Sequence, residues 1–209
     1  MINESDYQDA CFNPYLRQNF LDKIKKAGVP EYVQRISYSK KPSLSLFDMS
    51  NAYMTTRPLL FSNTFPRFKS EIQVYENAFD TIFHKCLSDF MCTLEDHEFT
   101  HAKQFFFGMT VEKYFGIPFK ILFNLGLFPD KKIAKKYLFD LQKKPEAEAY
   151  KNQLDNISRR NCSLQYALSV GFKYAKYSGI SADVEVFVKN SFGELEKKIF
   201  VIDKQGDEQ

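Results

Sequence analysis

The sequence predicts an α+β fold, rich in helix and carrying a small sheet, on three observations. Apolar residues recur at three- and four-residue spacing over residues 7–28 and again beyond Asn77. Between these stretches, residues 32–76 carry short apolar runs broken by Pro42, Pro58 and Pro66. Near the end, Val184–Lys189 alternates, Asn190-Ser-Phe-Gly193 supplies turn residues, and Leu195–Ile202 completes a hairpin pattern.

In residues 7–28, Tyr15, Leu16, Phe20, Leu21 and Ile24 form the apolar stripe of one helix, and Gly28 stops it. Tyr32–Tyr38, Leu44–Phe47, Leu59–Phe61 and Ile72–Tyr75 read as short strands. Ser70-Glu-Ile-Gln-Val-Tyr75 alternates best and is the expected edge strand beside the active helix. From Asn77, the residues Phe79, Ile82, Phe83, Cys86, Leu87 and Phe90 make one helical stripe. Thr93-Leu-Glu-Asp96 then spells a capping box, with Thr93 as N-cap. It opens a second helix over Leu94–Phe107 that Gly108 ends. Residues 109–129 are aromatic but interrupted by Gly116, Pro118 and Gly126, and they read as core beneath that helix. Residues 130–142 and 145–178 read as helix, and Lys204–Gln209 as a frayed end. The whole reads as a single domain over 1–209. Its parts are an N-terminal arm (about 1–31), a core (about 70–178) and a C-terminal hairpin (about 183–203).

Composition narrows the function classes. A hydrophobic fraction of 44 % with 22 Phe and 12 Tyr can bury a real core. Lys+Arg total 29 against 26 Asp+Glu, a formal charge of +3, which does not argue for nucleic acid. No apolar run is long enough for a transmembrane helix. The start is acidic and polar, unlike a signal peptide, so a cytoplasmic setting is expected. Lys131-Lys132 and Lys135-Lys136 make a short basic face, which leaves room for peripheral membrane or partner contact. Cys11, Cys86, Cys92 and Cys162 form no C-x-x-C pair and read as buried thiols in a reducing compartment.

The chemistry lies in His97-Glu98-Phe99-Thr100-His101, an H-E-x-x-H sequence. On a helix, positions i and i+4 share a face, so both imidazoles reach one cation, and zinc suits such nitrogen donors. Glu98, beside the first ligand, is placed to take a proton from a water on the metal without being a ligand itself. Among three histidines, a chance pair four apart arises about 3 % of the time, and requiring the Glu lowers that to about two in a thousand. Thr93 and Phe99 position the helix without chemistry. His84 lies near the Phe79–Phe90 stripe and reads as a satisfied, partly buried histidine.

A catalytic site needs a third protein ligand and an open position. No histidine follows, and Gln104 and Phe107 exclude an H-E-x-x-H-x-x-G-x-x-H pattern. A carboxylate on another helix is expected, and Pro145-Glu-Ala-Glu-Ala-Tyr150 supplies the candidates, with Pro145 opening that helix. Glu146 and Tyr150 share a face and Glu148 points away, so Glu146 and Glu148 cannot both ligate. Tyr150, Arg159, Arg160, Tyr166, Tyr174 and Tyr177 are candidate donors to an oxyanion.

H-E-x-x-H followed by a Glu on a later helix resembles the gluzincin pattern. His97–Gln104 (H-E-x-x-H-A-x-Q) and Glu146–Tyr150 (E-x-E-A-[DY]) are similar to the small gluzincin-like peptidases, over about residues 70–178. The resemblance implies a zincin-like fold and one Zn2+ per chain held by His97, His101 and Glu146. It implies Glu98 as general base and a peptide or protein substrate. Tyr150 stands where that family usually has an Asp beside the ligands, with a phenol that can hydrogen-bond a histidine or the water. The rival expectation is a non-catalytic zinc-binding or interaction protein on a zincin-like fold. A hydrolase of non-peptide amides is a third.

Overall fold

The computed structural model describes residues 2–40, 52–59, 68–107, 131–189 and 193–203. The chain is a mixed α+β protein. Helices α1 (Glu4–Phe12) and α2 (Arg17–Ala27) lead into strands β1 (Val33–Ser39), β2 (Met54–Pro58) and β3 (Ser70–Tyr75). A helical rod follows, made of α3 (Leu87–Met91), a π-helical segment (Cys92–Glu98) and α4 (Phe99–Phe107). Then come α5 (Lys131–Arg160), α6 (Leu164–Ser178) and the antiparallel hairpin β4 (Ala182–Lys189) and β5 (Leu195–Ile202). No helix among the described residues is long and apolar enough to cross a membrane.

Several expectations meet corrections. The helix over 7–28 is two helices, because Asn13 ends α1 and its side chain caps a 3-10 turn opened by Pro14. Tyr15 consequently projects into solvent, 91 % exposed, while Phe20, Leu21 and Ile24 are buried. Residues 80–86 form turns instead of helix, with the Asp80 carboxylate accepting from the Ile82 amide, and Ile82 is exposed. Ser70–Tyr75 is a strand, but β3 is central: β1 pairs with it in parallel and β2 antiparallel. Its burial pattern explains the misplacement, since alternation marks a strand with a buried face and carries no information about neighbours. Pro145 lies inside α5 and opens no helix. The helical stretch expected over 145–178 breaks at Asn161, whose φ of 54° lies in the left-handed region, and Ser163 caps α6. Leu44–Phe47, most of Leu59–Phe61, Gly108, residues 109–129, the Asn190–Phe192 turn, Lys204–Gln209 and the side chains of the Lys131–Lys136 face lie outside the described residues.

Two apolar cores flank the rod. On one side Tyr7, Phe20, Leu21, Ile24, Ile36, Ile72, Val74 and Phe79 pack with Phe90, Leu94 and Phe99 of the rod. On the other, Ile157, Tyr166, Val170, Val184, Val186 and Ile202 pack with Cys92. A Cβ at Gly171 of α6 would collide with Val184 and Ile202, so glycine is what lets α6 lie directly on the hairpin.

Candidate metal centre

Backbone continuity decides the local structure of the rod. Cys86 is extended and precedes Leu87, and the chain stays helical from there to Phe107. Thr93 therefore has no free helix-start amide to cap, and the expected capping box does not form. Its hydroxyl instead bonds the His84 Nε2 at 2.9 Å and the Tyr166 hydroxyl at 2.7 Å. His97 lies in the last turn of the π segment and His101 one turn on in α4.

Their imidazoles meet. His97 Nε2 and His101 Nε2 are 3.2 Å apart. Glu146 of α5 faces both, its Oε2 at 3.5 Å from His97 Nε2 and its Oε1 at 3.5 Å from His101 Nε2. These three residues form a cluster that can hold a metal ion, each offering one ligand atom within 4.8 Å of the others. Tetrahedral zinc with nitrogen at 2.0–2.1 Å separates its ligand atoms by about 3.3 Å, so the spacing fits. The donor set of two imidazoles and one carboxylate also suits zinc. Burial disfavours a charge on His101, but the Glu146 carboxylate outweighs it and holds the imidazole up at about 9. Burial likewise opposes the Glu146 charge, and hydrogen bonds from His101 and His97 overcome it, holding the carboxyl far below the usual carboxylate range.

A polar ladder between the rod and α5 delivers Glu146. Asp96, Thr100 and Gln104 recur every four residues on the rod, and Glu148, Asn152, Asn156 and Arg160 recur every four on α5. Arg160 donates to both Asp96 and Glu95, and Asn156 donates to Asp96 at 3.0 Å. Asn152 donates to the Thr100 hydroxyl at 2.9 Å. Gln104 donates to Glu148 at 2.9 Å and to the Pro145 carbonyl at 3.1 Å, while its own carbonyl meets His101 Nδ1 at 3.0 Å. Glu148 is thus occupied away from the cluster, and Glu146 is the carboxylate that faces it. Asp96 serves this ladder in place of the capping role expected for it.

Glu98, beside the cluster, is held from the sheet. Thr56 of β2 donates to its Oε2 at 2.6 Å and also reaches its backbone carbonyl at 3.1 Å. Among the described residues β2, not β3, is thus the sheet-edge strand beside the histidines. Sequence reading missed Met54–Pro58, although paired β-branched Thr55-Thr56 ending in Pro58 is a strand-edge signal.

Tyr150 lies at the cluster, its ring 4.4 Å from that of His97 and stacked on Tyr177 at 5.6 Å. It meets His97 through its ring, with no hydrogen bond between them, and the buried His97 Nδ1 has no partner among the described residues. Of the other oxyanion candidates, Arg160 is tied to the ladder. Tyr166 is buried between Thr93 and Gln153, and Arg159 is exposed. Tyr174 packs on the second core. All four cysteines are free; Cys92 and Cys162 are buried, and Cys11 and Cys86 half-buried.

What this geometry defines is a His-His-Glu cluster that could hold a metal ion, with a second carboxylate beside it. No family model matches the chain, and no curated protein or solved structure matches it either.

Proposed function

We propose that the chain is a zinc-dependent metallopeptidase of gluzincin type, with one Zn2+ held by His97, His101 and Glu146. The observation that carries this reading is the His-His-Glu donor triangle with Glu98, the next residue after His97, held separately by Thr56. A purely structural site has no use for that second carboxylate. When bound, the metal supplies an acidified water and a Lewis acid for the substrate carbonyl. Glu98 accepts the proton of the attacking water and passes it to the leaving amine. Thr56 engages Oε2, which orients the carboxylate and leaves Oε1 to carry that proton. Tyr150, buttressed by Tyr177, presents a phenol to the oxygen that gains charge. A substrate backbone would pair along β2. The free thiols support a reducing, cytoplasmic setting.

A metal site that only ties α5 to the rod is the second reading. The polar ladder favours it, because α5 is already tied to the rod at Asp96, Thr100 and Gln104 and the cluster continues that seam. Metal content and peptide hydrolysis, measured on wild type, His101→Ala and Glu98→Gln, separate the two. The expected result is about one zinc per chain in wild type and Glu98→Gln and none in His101→Ala. Hydrolysis in Glu98→Gln should fall by at least about 100-fold. Full activity in Glu98→Gln would overturn the mechanism. Zinc without hydrolysis of a mixed peptide library would leave the structural site.

A further inference from the structure

Lys173 of α6 is an ammonium without an acid among the described residues. Its Nζ lies 5.3 Å from the Phe83 ring centre, 5.6 Å from that of Tyr53 and 5.6 Å from that of Tyr150. Tyr53 and Phe83 stack face to face at 4.1 Å, so two of these rings form one continuous wall. Ring faces hold a cation by their quadrupole and leave its hydrogen-bond donors unspent. Among the described residues no carboxylate lies within ion-pair distance of Lys173. The two nearby acids are engaged elsewhere, Glu98 by Thr56 and Glu146 by the histidines. Lys173 and the three rings are each half-buried.

Its place relative to the cluster limits what it can bind. Tyr150 touches both Lys173 and His97, so the ammonium is no farther from the His97 ring than those two separations laid end to end. That limit is about 10 Å, the span of roughly three extended residues. One charge occurs on every peptide at a fixed distance from its last peptide bonds, and that is the terminal carboxylate.

We propose that Lys173 anchors the C-terminal carboxylate of a peptide, so that the metal centre cuts within about three residues of the chain end. This rests on the peptidase reading and adds a substrate class to it. Burial lowers the tendency of Lys173 to stay protonated, while Glu146 and Glu98 oppose that loss. A carboxylate arriving at the ammonium strengthens its charge in the same way.

The test uses zinc-loaded Glu98→Gln protein and a pentapeptide without acidic side chains, prepared as the free acid and as the C-terminal amide. Calorimetry should find the acid bound at least about tenfold more tightly than the amide, as expected for a charge-assisted hydrogen bond. Lys173→Gln should bring that ratio to about one with amide affinity unchanged, and Lys173→Arg should restore part of it. Equal binding of acid and amide would overturn the proposal. So would a preference that survives in Lys173→Gln, because the metal would then be taking the carboxylate. An amidated peptide with a penultimate Glu that binds as tightly as the acid would overturn the C-terminal assignment. Acid preference in a wild-type protein that cleaves neither peptide would remove the hydrolysis and support the anchor, so the two failures are distinguishable.

Discussion

His84 and the His97–His101 pair are one residue type put to opposite uses within a single stretch of chain. Every polar atom of the His84 ring is spoken for. Nδ1 donates to the Ala78 carbonyl at 3.0 Å, and Nε2 accepts from Thr93. Thr93 in turn accepts from Tyr166, which accepts from Gln153 at 2.6 Å. That chain of donors suits a neutral imidazole, and burial holds its pKa down at about 3. The pair is the reverse. Two Nε2 atoms face each other across 3.2 Å, a carboxylate closes the triangle, and one Nδ1 has no partner among the described residues. A satisfied buried histidine fastens a fold. Histidines whose acceptors converge on one point are arranged for something to arrive there.

The sharpest break in this comparison is to delete each ring. His101→Ala should abolish metal binding, a loss of about 10 kcal/mol or more for a structural-strength zinc site, while the metal-free fold persists. His84→Ala should keep about one zinc per chain and lose about 2–4 kcal/mol of stability, from the cavity and the stranded Ala78 and Thr93 groups. Metal content and urea denaturation on both variants check this. Zinc loss in His84→Ala without unfolding would break the division of labour.

A second difference is the sign of the pH response. The folded pKa of His84 lies below its unfolded value, so the unfolded chain takes up the extra proton. Stability should then fall by about 1.4 kcal/mol per pH unit from about 6.5 downward. His101 in metal-free protein has its pKa raised to about 9, so its contribution is complete below about 6.5 and fades as pH climbs to 9. Urea midpoints between pH 4 and 9, with chelator present, should slope oppositely in the two windows. His84→Gln should flatten the acid slope, and His101→Ala the alkaline one. The smallest effect is expected at Thr56→Val, which frees Glu98 to turn. There kcat should drop about tenfold at nearly constant KM and unchanged zinc content.

What the sequence made legible follows from the range of each interaction. His97 and His101 were readable because i,i+4 periodicity fixes a face without any knowledge of the fold, and Glu146 with Tyr150 came from the gluzincin resemblance. Thr56 was not, since its contact with Glu98 spans 42 residues and depends on β2 lying beside the rod. The capping box failed at Thr93 because cap chemistry is decided by whether the preceding residues are already helical, and Leu87–Met91 are. Pro145 misled for a related reason: whether a proline starts a helix or lies inside one depends on whether the residues before it are already helical, and here they are from Lys131 onward. The rod-to-α5 ladder left a trace in the sequence, polar residues every fourth position on both helices, but either row alone reads as a solvated face.

The π segment over Cys92–Glu98 has a consequence for how this chain tolerates change. A π turn closes its hydrogen bonds one residue later than an α turn, so the rod holds surplus residues between its two halves. Each α-helical residue advances the side chains by about 100° and each π-helical residue by less, so the wide turn takes up the surplus and keeps the phase of His101 against Phe90 and Leu94. A one-residue deletion within 92–98 that relaxes the turn to α geometry removes the surplus and leaves the two halves nearly in phase, whereas a deletion in the α-helical parts finds nothing to absorb it and swings one half by that angle, trading core-facing for cluster-facing positions. The rod therefore behaves like a text with one spare letter: dropping it there keeps the reading, but a single-letter shift elsewhere rewrites everything downstream.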